Sequence, residues 1–257
     1  MFNWDDFLII LAVISLLAFA GWLISLVRHN VTHVDSLWSL FFALAAYTSY
    51  FLDENPSTRA NLILALISVW ALRLFAHLTI RNWGEPEDNR YVEIRKNNEP
   101  NFWIKSVYII FGLQALLAWA ISLSLYGAIT SNSPLNILDY IGTILFAFGF
   151  FWEVFGDWQL TQFQKNKANK GQVLNTGLWR YSRHPNYFGE CCLWWGFYLI
   201  AFAAGAWWAI ISPIFITFLL LKVSGVSLLE STISERRPAY AHYKKTTNAF
   251  LPWFKQK

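Results

Sequence analysis

Long apolar segments recur along the chain, and each of them ends at a turn or at a cluster of charges. A helix of about twenty apolar residues is long enough to cross the hydrocarbon core of a bilayer, which is about 30 Å thick. The pattern therefore predicts an all-α, polytopic membrane bundle of about seven transmembrane helices. The predicted spans cover residues 7–27, 36–52, 61–80, 103–126, 136–156, 188–204 and 206–228.

The boundary between the last two predicted spans depends on one residue, Gly205, and a re-entrant hairpin would give the same pattern there. The first span lacks a small-residue cleavage site, so we expect it to stay in the mature protein. The chain shows no internal repeat and no flexible linker. It is therefore predicted to form a single integral membrane domain over residues 1–257.

Composition and charge distribution support a multi-pass protein. Of the 257 residues 56% are hydrophobic and 14% are charged, against roughly 25% charged in soluble domains. Eighteen of the twenty Lys and Arg fall on one side of the predicted spans, with Arg59 on the other side and Arg73 inside a span. Since cytoplasmic loops carry the excess of Lys and Arg, we expect the N-terminus outside and the C-terminus in the cytoplasm.

The expected partners follow from the same features. Membrane lipids are predicted to surround the chain, whereas no nucleic-acid-binding motif accompanies its net charge of +4. No segment suggests a protein partner. Cys191 and Cys192 are adjacent, which predicts neither a disulfide framework nor a metal site.

The densest group of reactive side chains lies in residues 177–190, just before the sixth predicted span. Its arginines offer planar donors that suit phosphate oxygens, and Asn186 together with the tyrosines offers directional hydrogen bonds. Such a set suits a ligand that carries phosphates and an amide or a sugar. An interfacial belt of aromatic and basic residues would have a similar composition.

Three parts of the chain carry a resemblance to a known family. Residues 153–160, 177–190 and 240–252 look like the C-terminal domain of the steroid 5-alpha-reductase family, with the cofactor motifs mainly in 153–257. Residues 34–38 and 81–91 extend the match to the DUF1295 group, a mainly bacterial branch, which implies a bacterial inner-membrane protein. Sterol reductases, which use NADPH, and isoprenylcysteine carboxyl methyltransferases, which use S-adenosylmethionine, carry similar motifs.

This resemblance implies a membrane reductase that transfers a hydride from NADPH to a carbon–carbon double bond conjugated to a carbonyl. The lipophilic substrate would be steroid-like or isoprenoid-like. Polar positions shared with the reductase pattern favour NADPH over S-adenosylmethionine. The residues expected to line the cofactor are Asn82, Asp157, Arg180, Tyr181, Arg183, His184, Asn186, Tyr187, Glu190 and Tyr243.

Catalysis would also need an acid that polarises the substrate carbonyl. Ionisable residues inside membrane spans are rare and usually functional, so they are the first candidates. Asp35, Arg73 and His77 are the candidates, with Arg73 and His77 on one face of the third span. We expect Asp35 to pair with one of them, although an ion pair that only fixes packing would look the same. The Gln-Glu pair and the Tyr of the steroid enzymes are missing here, so a different substrate is expected.

Two alternatives remain open at this stage. The first is an S-adenosylmethionine-dependent methyltransferase acting on a carboxylate or thiol at the membrane face, for which Asp35, Arg73 and His77 would be dispensable. The second is a non-catalytic membrane protein, which would bind no nucleotide saturably.

Overall fold

The computed structural model describes residues 2–223 and 239–254, and within these ranges the chain is helical and contains no strand. Two compact units are formed. The N-terminal unit comprises Met1–Asn136 and Ala201–Ala209, and the C-terminal unit comprises Ile137–Ile200 and Ile210–Lys257.

In the N-terminal unit the central helix is the second one, which packs against the first and the third. Side chains cap three of the helix starts: Asn3 accepts a hydrogen bond from the Asp5 amide, Ser57 accepts one from the Ala60 amide, and Asp88 accepts one from the Arg90 amide. The helices are α1 (Trp4–Arg28), α2 (Val34–Leu52), α3 (Thr58–Asn82), α4 (Asn89–Asn97), α5 (Phe102–Ser106), a π-helical segment (Val107–Gly112), α6 (Leu113–Ile121) and α7 (Leu123–Ile129).

The C-terminal unit is built on two long helices joined by a connection that contains two short 3₁₀ turns. From residue 137 onwards the described elements are α8 (Ile137–Lys165), the 3₁₀ turns Lys167–Asn169 and Gly177–Arg180, α9 (Pro185–Ala203), the 3₁₀ turn Trp207–Ile210, α10 (Ile211–Phe218), a π-helical segment (Leu219–Val223) and α11 (Ala239–Thr246). The last three residues of α9 and most of the turn Trp207–Ile210 belong to the N-terminal unit.

Within residues 2–223 and 239–254, four helical segments are long and apolar enough to cross a bilayer: α1, α3, Phe102–Ile121 and α8. Helices α2 and α9 overlap two more of the predicted spans, and the apolar stretch Trp207–Val223 is shorter than a full span. The predicted all-α class is thus confirmed for the described residues, the four candidate spans agree with a membrane protein, and the count of seven spans stays a prediction.

The break predicted at Gly205 is present. The Ala206 and Gly205 amides donate to the Ala201 and Phe202 carbonyls, both at 2.9 Å. This pair of bonds is a Schellman motif, which closes a helix when its terminal residue adopts a left-handed conformation, and Gly205 has φ +86°. A side chain there would strain the backbone, so glycine is the residue that ends the helix.

A glycine stripe brings α8 and α9 into backbone contact. Gly142, Gly149 and Gly156 are spaced seven residues apart on α8 and face α9. A Cβ placed on Gly149 would lie 2.5 Å from the Gly189 carbonyl oxygen, and one on Gly196 would lie 2.6 Å from that of Gly142. Small residues at such spacing let membrane helices approach closely, which fixes how α8 and α9 present their polar residues.

The one cation that the charge count puts on the outer side has a structural role. Arg59 lies in the first turn of α3 and is 1% exposed. Its guanidinium donates to the Ser133 and Pro134 carbonyls at 3.0 and 2.9 Å. This arginine therefore anchors the connection between α7 and α8 to the start of α3.

Candidate functional site

The segment that is richest in reactive side chains, residues 177–190, is bound to the last three turns of α8. The Trp179 indole donates to the Gly156 carbonyl at 3.0 Å, and the Leu178 amide donates to Gln159 Oε1 at 3.0 Å. At Gly177, with φ +60°, an added Cβ would lie 2.2 Å from the Gln159 amide group. These contacts hold residues 177–184, which we call the motif loop, against α8.

Two predicted cofactor residues meet where α9 begins. Asn186 lies in the first turn of α9, and its Nδ2 donates to Asp157 Oδ1 of α8 at 3.0 Å. Gly156 makes this approach possible, because a Cβ there would lie 3.1 Å from the Asn186 amide nitrogen. The Asp157 carboxylate is 8% exposed. The hydrogen bond fixes the orientation of both side chains.

Four carboxylates are buried on α8 and α9: Asp139 lies in the first turn of α8, and the other three lie toward the end of α8 and the start of α9. Glu153 is 2% exposed and lies one turn before Asp157, on the same face of α8, and Glu190 of α9 is 9% exposed. Ionisable groups are expensive to bury in a membrane protein, so a cluster of them is a functional-site candidate. Glu153 was not among the site residues predicted from the sequence, although its spacing of one helical turn from Asp157 indicates a shared helix face.

An imidazole and a phenol lie beside these carboxylates in sequence. His184 is 5% exposed, and its ring stacks on that of Tyr187 with centroids 5.6 Å apart and planes 1° from parallel. The His184 amide donates to Ser182 Oγ at 3.1 Å. The aromatic pair is therefore held rigidly at the start of α9.

Arg183 and Tyr243, both predicted to bind cofactor, donate hydrogen bonds to backbone carbonyls. Arg183 Nη1 donates to the Lys244 and Thr247 carbonyls at 2.9 and 2.5 Å, and the side chain is 7% exposed. The Tyr243 hydroxyl donates to the Trp179 carbonyl and, at 3.2 Å, to the Ser182 carbonyl. These bonds tie residues 240–254, which we call the C-terminal tail, to the motif loop.

Most exposed cations of the C-terminal unit lie in the motif loop, in the tail, and at or just after the end of α8. Arg180 is exposed, whereas the ring of Tyr181 is half-buried against the tail. Arg236 and Arg237, which the family resemblance nominates less firmly for the cofactor, lie outside the described residues. The remaining exposed cations among the described residues of this unit are Lys165, Lys167, Lys170, Lys222, Lys244 and Lys245.

In the N-terminal unit, Asp35 lies in the first turn of α2 and its partners lie on α4. Arg90 Nη2 donates to Asp35 Oδ2 at 2.6 Å, and the Tyr91 hydroxyl donates to Asp35 Oδ1 at 2.5 Å. From the sequence a partner on α3 was expected instead. Gln114 of α6 donates to the Tyr91 hydroxyl at 3.2 Å, and Asp88 accepts from Arg90 Nε at 3.0 Å, so these five side chains form one network.

Burial, together with the negative charge of Asp35, raises the pKa of Tyr91 well above its usual value. This phenol therefore stays protonated and keeps donating to Asp35. Arg90 and Tyr91 were missed as partners, although both belong to residues 81–91, which carry part of the family resemblance. A charged pair separated by 55 residues gives no periodic signal, so its contact was not predictable from spacing.

A second ion pair holds α4 against the turn between α1 and α2. Arg95 donates to both oxygens of Glu87 at 2.8 and 2.9 Å, and Glu87 accepts from the Val31 amide at 2.9 Å. Burial opposes the charged form of Glu87, but the bonds from Arg95 and Val31 outweigh it and lower the pKa of this carboxyl. The Arg95 guanidinium also lies 4.3 Å from the centre of the Phe102 ring.

The other predicted residues of this unit all lie on α3. Arg73 and His77 are half-buried and one turn apart, as expected. Asn82 Oδ1 accepts from Arg81 Nε at 3.1 Å, and the buried Asn82 Nδ2 has no hydrogen-bond partner in the described part of the chain. No group of three or more His, Cys, Asp and Glu within residues 2–223 and 239–254 is arranged to hold a metal ion.

Comparison with known proteins agrees with the expected family. The model of the family described as "Protein of unknown function (DUF1295)" matches residues 21–247, and the chain therefore belongs to this family. It is 27% identical over 289 residues to "Uncharacterized protein C594.04c" of Schizosaccharomyces pombe, with 98% of this chain and 81% of that protein covered. No solved structure matches the chain.

Proposed function

We propose that this member of the DUF1295 family is a membrane-embedded, NADPH-dependent reductase of a conjugated carbon–carbon double bond in a lipophilic substrate. The observation that carries the proposal is the polar array of the C-terminal unit. Buried Glu153, Asp157 and Glu190 lie along two closely packed helices, and exposed cations lie on the neighbouring loop and tail. The family resemblance to the steroid 5-alpha-reductases supplies the reaction type.

The chemistry of this array suits a dinucleotide. Carboxylates accept hydrogen bonds from ribose hydroxyls and from a carboxamide NH₂, and Asn186 is already oriented by Asp157. Exposed Arg180 and the exposed lysines within residues 165–170 are suited to phosphate oxygens. Bound NADPH would supply the hydride. Arg183 would contribute indirectly, because its bonds to the tail hold the motif loop in place.

The substrate would be activated by residues of the N-terminal unit. Asp35, Arg73 and His77 remain the proposed catalytic groups, with Arg90 and Tyr91 orienting the Asp35 carboxylate. A lipid-soluble enone suits a protein in which apolar helices exclude water from the reacting carbonyl. We further propose that the motif loop faces the cytoplasm and the N-terminus lies outside, as in a bacterial inner membrane. Reporter fusions at each terminus test this orientation.

Thermal-shift titration of the detergent-solubilised protein tests the cofactor. NADPH should stabilise the wild type, and Arg180→Gln should weaken its binding by roughly tenfold, because a charge-assisted bond contributes about 1.5 to 3 kcal/mol. Arg28→Gln removes another exposed arginine, in the N-terminal unit, and should leave the titration unchanged. Absence of stabilisation by any nucleotide would refute the reductase and favour a non-catalytic protein.

A second candidate function has one observation in its favour. The Arg183 guanidinium is bonded to tail carbonyls, which leaves fewer buried cations for a phosphate and suits a cofactor without one. S-adenosylmethionine is such a cofactor, and its ribose could bind the same carboxylates. Stabilisation by S-adenosylmethionine alone in the same titration would replace the reductase with a methyltransferase.

A further inference from the structure

The C-terminal tail exposes apolar side chains beside lysines. Leu251, Trp253 and Phe254 are 66%, 65% and 75% exposed, and Lys244 and Lys245 at the end of α11 are exposed as well. Trp at the boundary of a bilayer and Lys near anionic headgroups are the side chains that bind a membrane interface. Exposing three neighbouring apolar side chains to water is unfavourable, whereas a bilayer interface would accommodate them.

The depth of the tail follows from its attachments. The motif loop is bonded to Gly156 and Gln159, close to the point where the apolar part of α8 ends. Helix α8 has 29 residues, so at about 1.5 Å per residue it is longer than a hydrocarbon core of about 30 Å. If its start lies at one boundary, residues beyond about 157 reach the headgroup region, and the motif loop lies there with them.

The tail is bound to that loop at several points. The Trp253 amide donates to the Tyr181 carbonyl at 3.0 Å, and Ser182 Oγ donates to the Phe250 carbonyl at 2.8 Å. The Arg183 amide donates to the Asn248 carbonyl at 2.9 Å. A force that holds the tail in the headgroup region is therefore transmitted directly to residues 181–183.

We propose that residues 240–254 form an interfacial anchor for anionic phospholipids, and that lipid binding there orders the motif loop. Trp253 and Phe254 would enter the boundary between headgroups and acyl chains, and Lys244 and Lys245 would attract the headgroup phosphates. The occupant is the bilayer itself, because the lysines lie beside an exposed apolar surface at interfacial depth. The anchor does not depend on the proposed reaction.

Hydrogen exchange of the full-length protein in lipid nanodiscs tests this anchor. Motif-loop amides should exchange more slowly in phosphatidylglycerol than in phosphatidylcholine discs, by up to about fivefold for each lysine. The double variant K244Q/K245Q should lose this difference, and W253A/F254A should lose protection in both lipids. Native mass spectrometry should show less retained phosphatidylglycerol for K244Q/K245Q. The matched variants K96Q and W103A change an exposed lysine and an exposed tryptophan of the other unit and should behave as wild type.

Three results would overturn the proposal. The first is equal exchange of the motif loop in both lipids. The second is loss of protection in the matched variants as well, which would indicate a general effect of lipid on the protein. The third is that phosphatidylglycerol has no effect on exchange, whereas added NADPH slows exchange of the motif loop in phosphatidylcholine discs and K244Q/K245Q abolishes that slowing. This result would assign the two lysines to the cofactor. Failure of NADPH to bind at all would refute the reductase and leave the anchor standing.

Discussion

Replacing Arg183 by alanine separates two roles that the sequence alone cannot distinguish. The guanidinium is 7% exposed and donates two bonds to carbonyls of the tail, at 2.9 and 2.5 Å. A hydrogen bond that involves a charged group contributes about 1.5 to 3 kcal/mol. Since both bonds come from one nitrogen, we take the loss in the free energy of unfolding as about 3 kcal/mol rather than as the sum of two separate bonds. That corresponds to a fall of roughly 6 to 12 °C in melting temperature for a chain of this size.

Thermal unfolding in detergent without ligand measures this fall. Arg180→Ala is the matched control, because Arg180 lies three residues away and is exposed, and it should leave the melting temperature nearly unchanged. Arg183→Lys should recover part of the loss, since one ammonium can still reach a carbonyl. An unchanged melting temperature of Arg183→Ala together with strongly weakened NADPH binding would refute the anchoring role and restore the direct phosphate contact.

Three further outcomes are expected. Asp35→Ala should release α4, because two donors lose their acceptor, and hydrogen exchange over residues 89–97 should rise by at least tenfold. Gly149→Ala should destabilise the protein by about 1 to 3 kcal/mol through overpacking against α9, whereas Ala147→Leu on the exposed face of α8 should not; thermal unfolding compares them. The lowered pKa of Glu87 and the raised pKa of Tyr91 should keep α4 bound between about pH 4.5 and pH 10, their ordinary values being 4.5 and 10.0. This stabilisation of α4 should be lost as pH falls below or rises above that window. Hydrogen exchange of the α4 amides, corrected for the pH dependence of the intrinsic exchange rates, measures the loss. Protection of α4 that does not change with pH would contradict the network.

The apolar pattern predicted the long helices well, because burial in lipid needs continuous apolar length and little else. Helix α4 was not predicted, since it is short and polar and depends on contacts with residues more than fifty positions away: the ion pair of Arg90 with Asp35 and the hydrogen bond from the Val31 amide to Glu87. The Asp157–Asn186 contact agrees with the expected grouping of these residues. The bonds from Arg183 to the tail cross about sixty residues, and no local pattern encodes such a contact.

The glycine stripe, in contrast, was readable and links packing to chemistry. Glycines every seven residues on α8 allow backbone contact with α9, because a side chain at these positions would meet the backbone or side chains of α9. Glu153 and Glu190 are buried beside Gly149 and Gly189, so their burial follows from the same contact. Larger residues in the stripe would separate the helices and hydrate the carboxylates. We therefore expect the stripe to matter for the proposed site as well as for stability, because it fixes the geometry of the polar array.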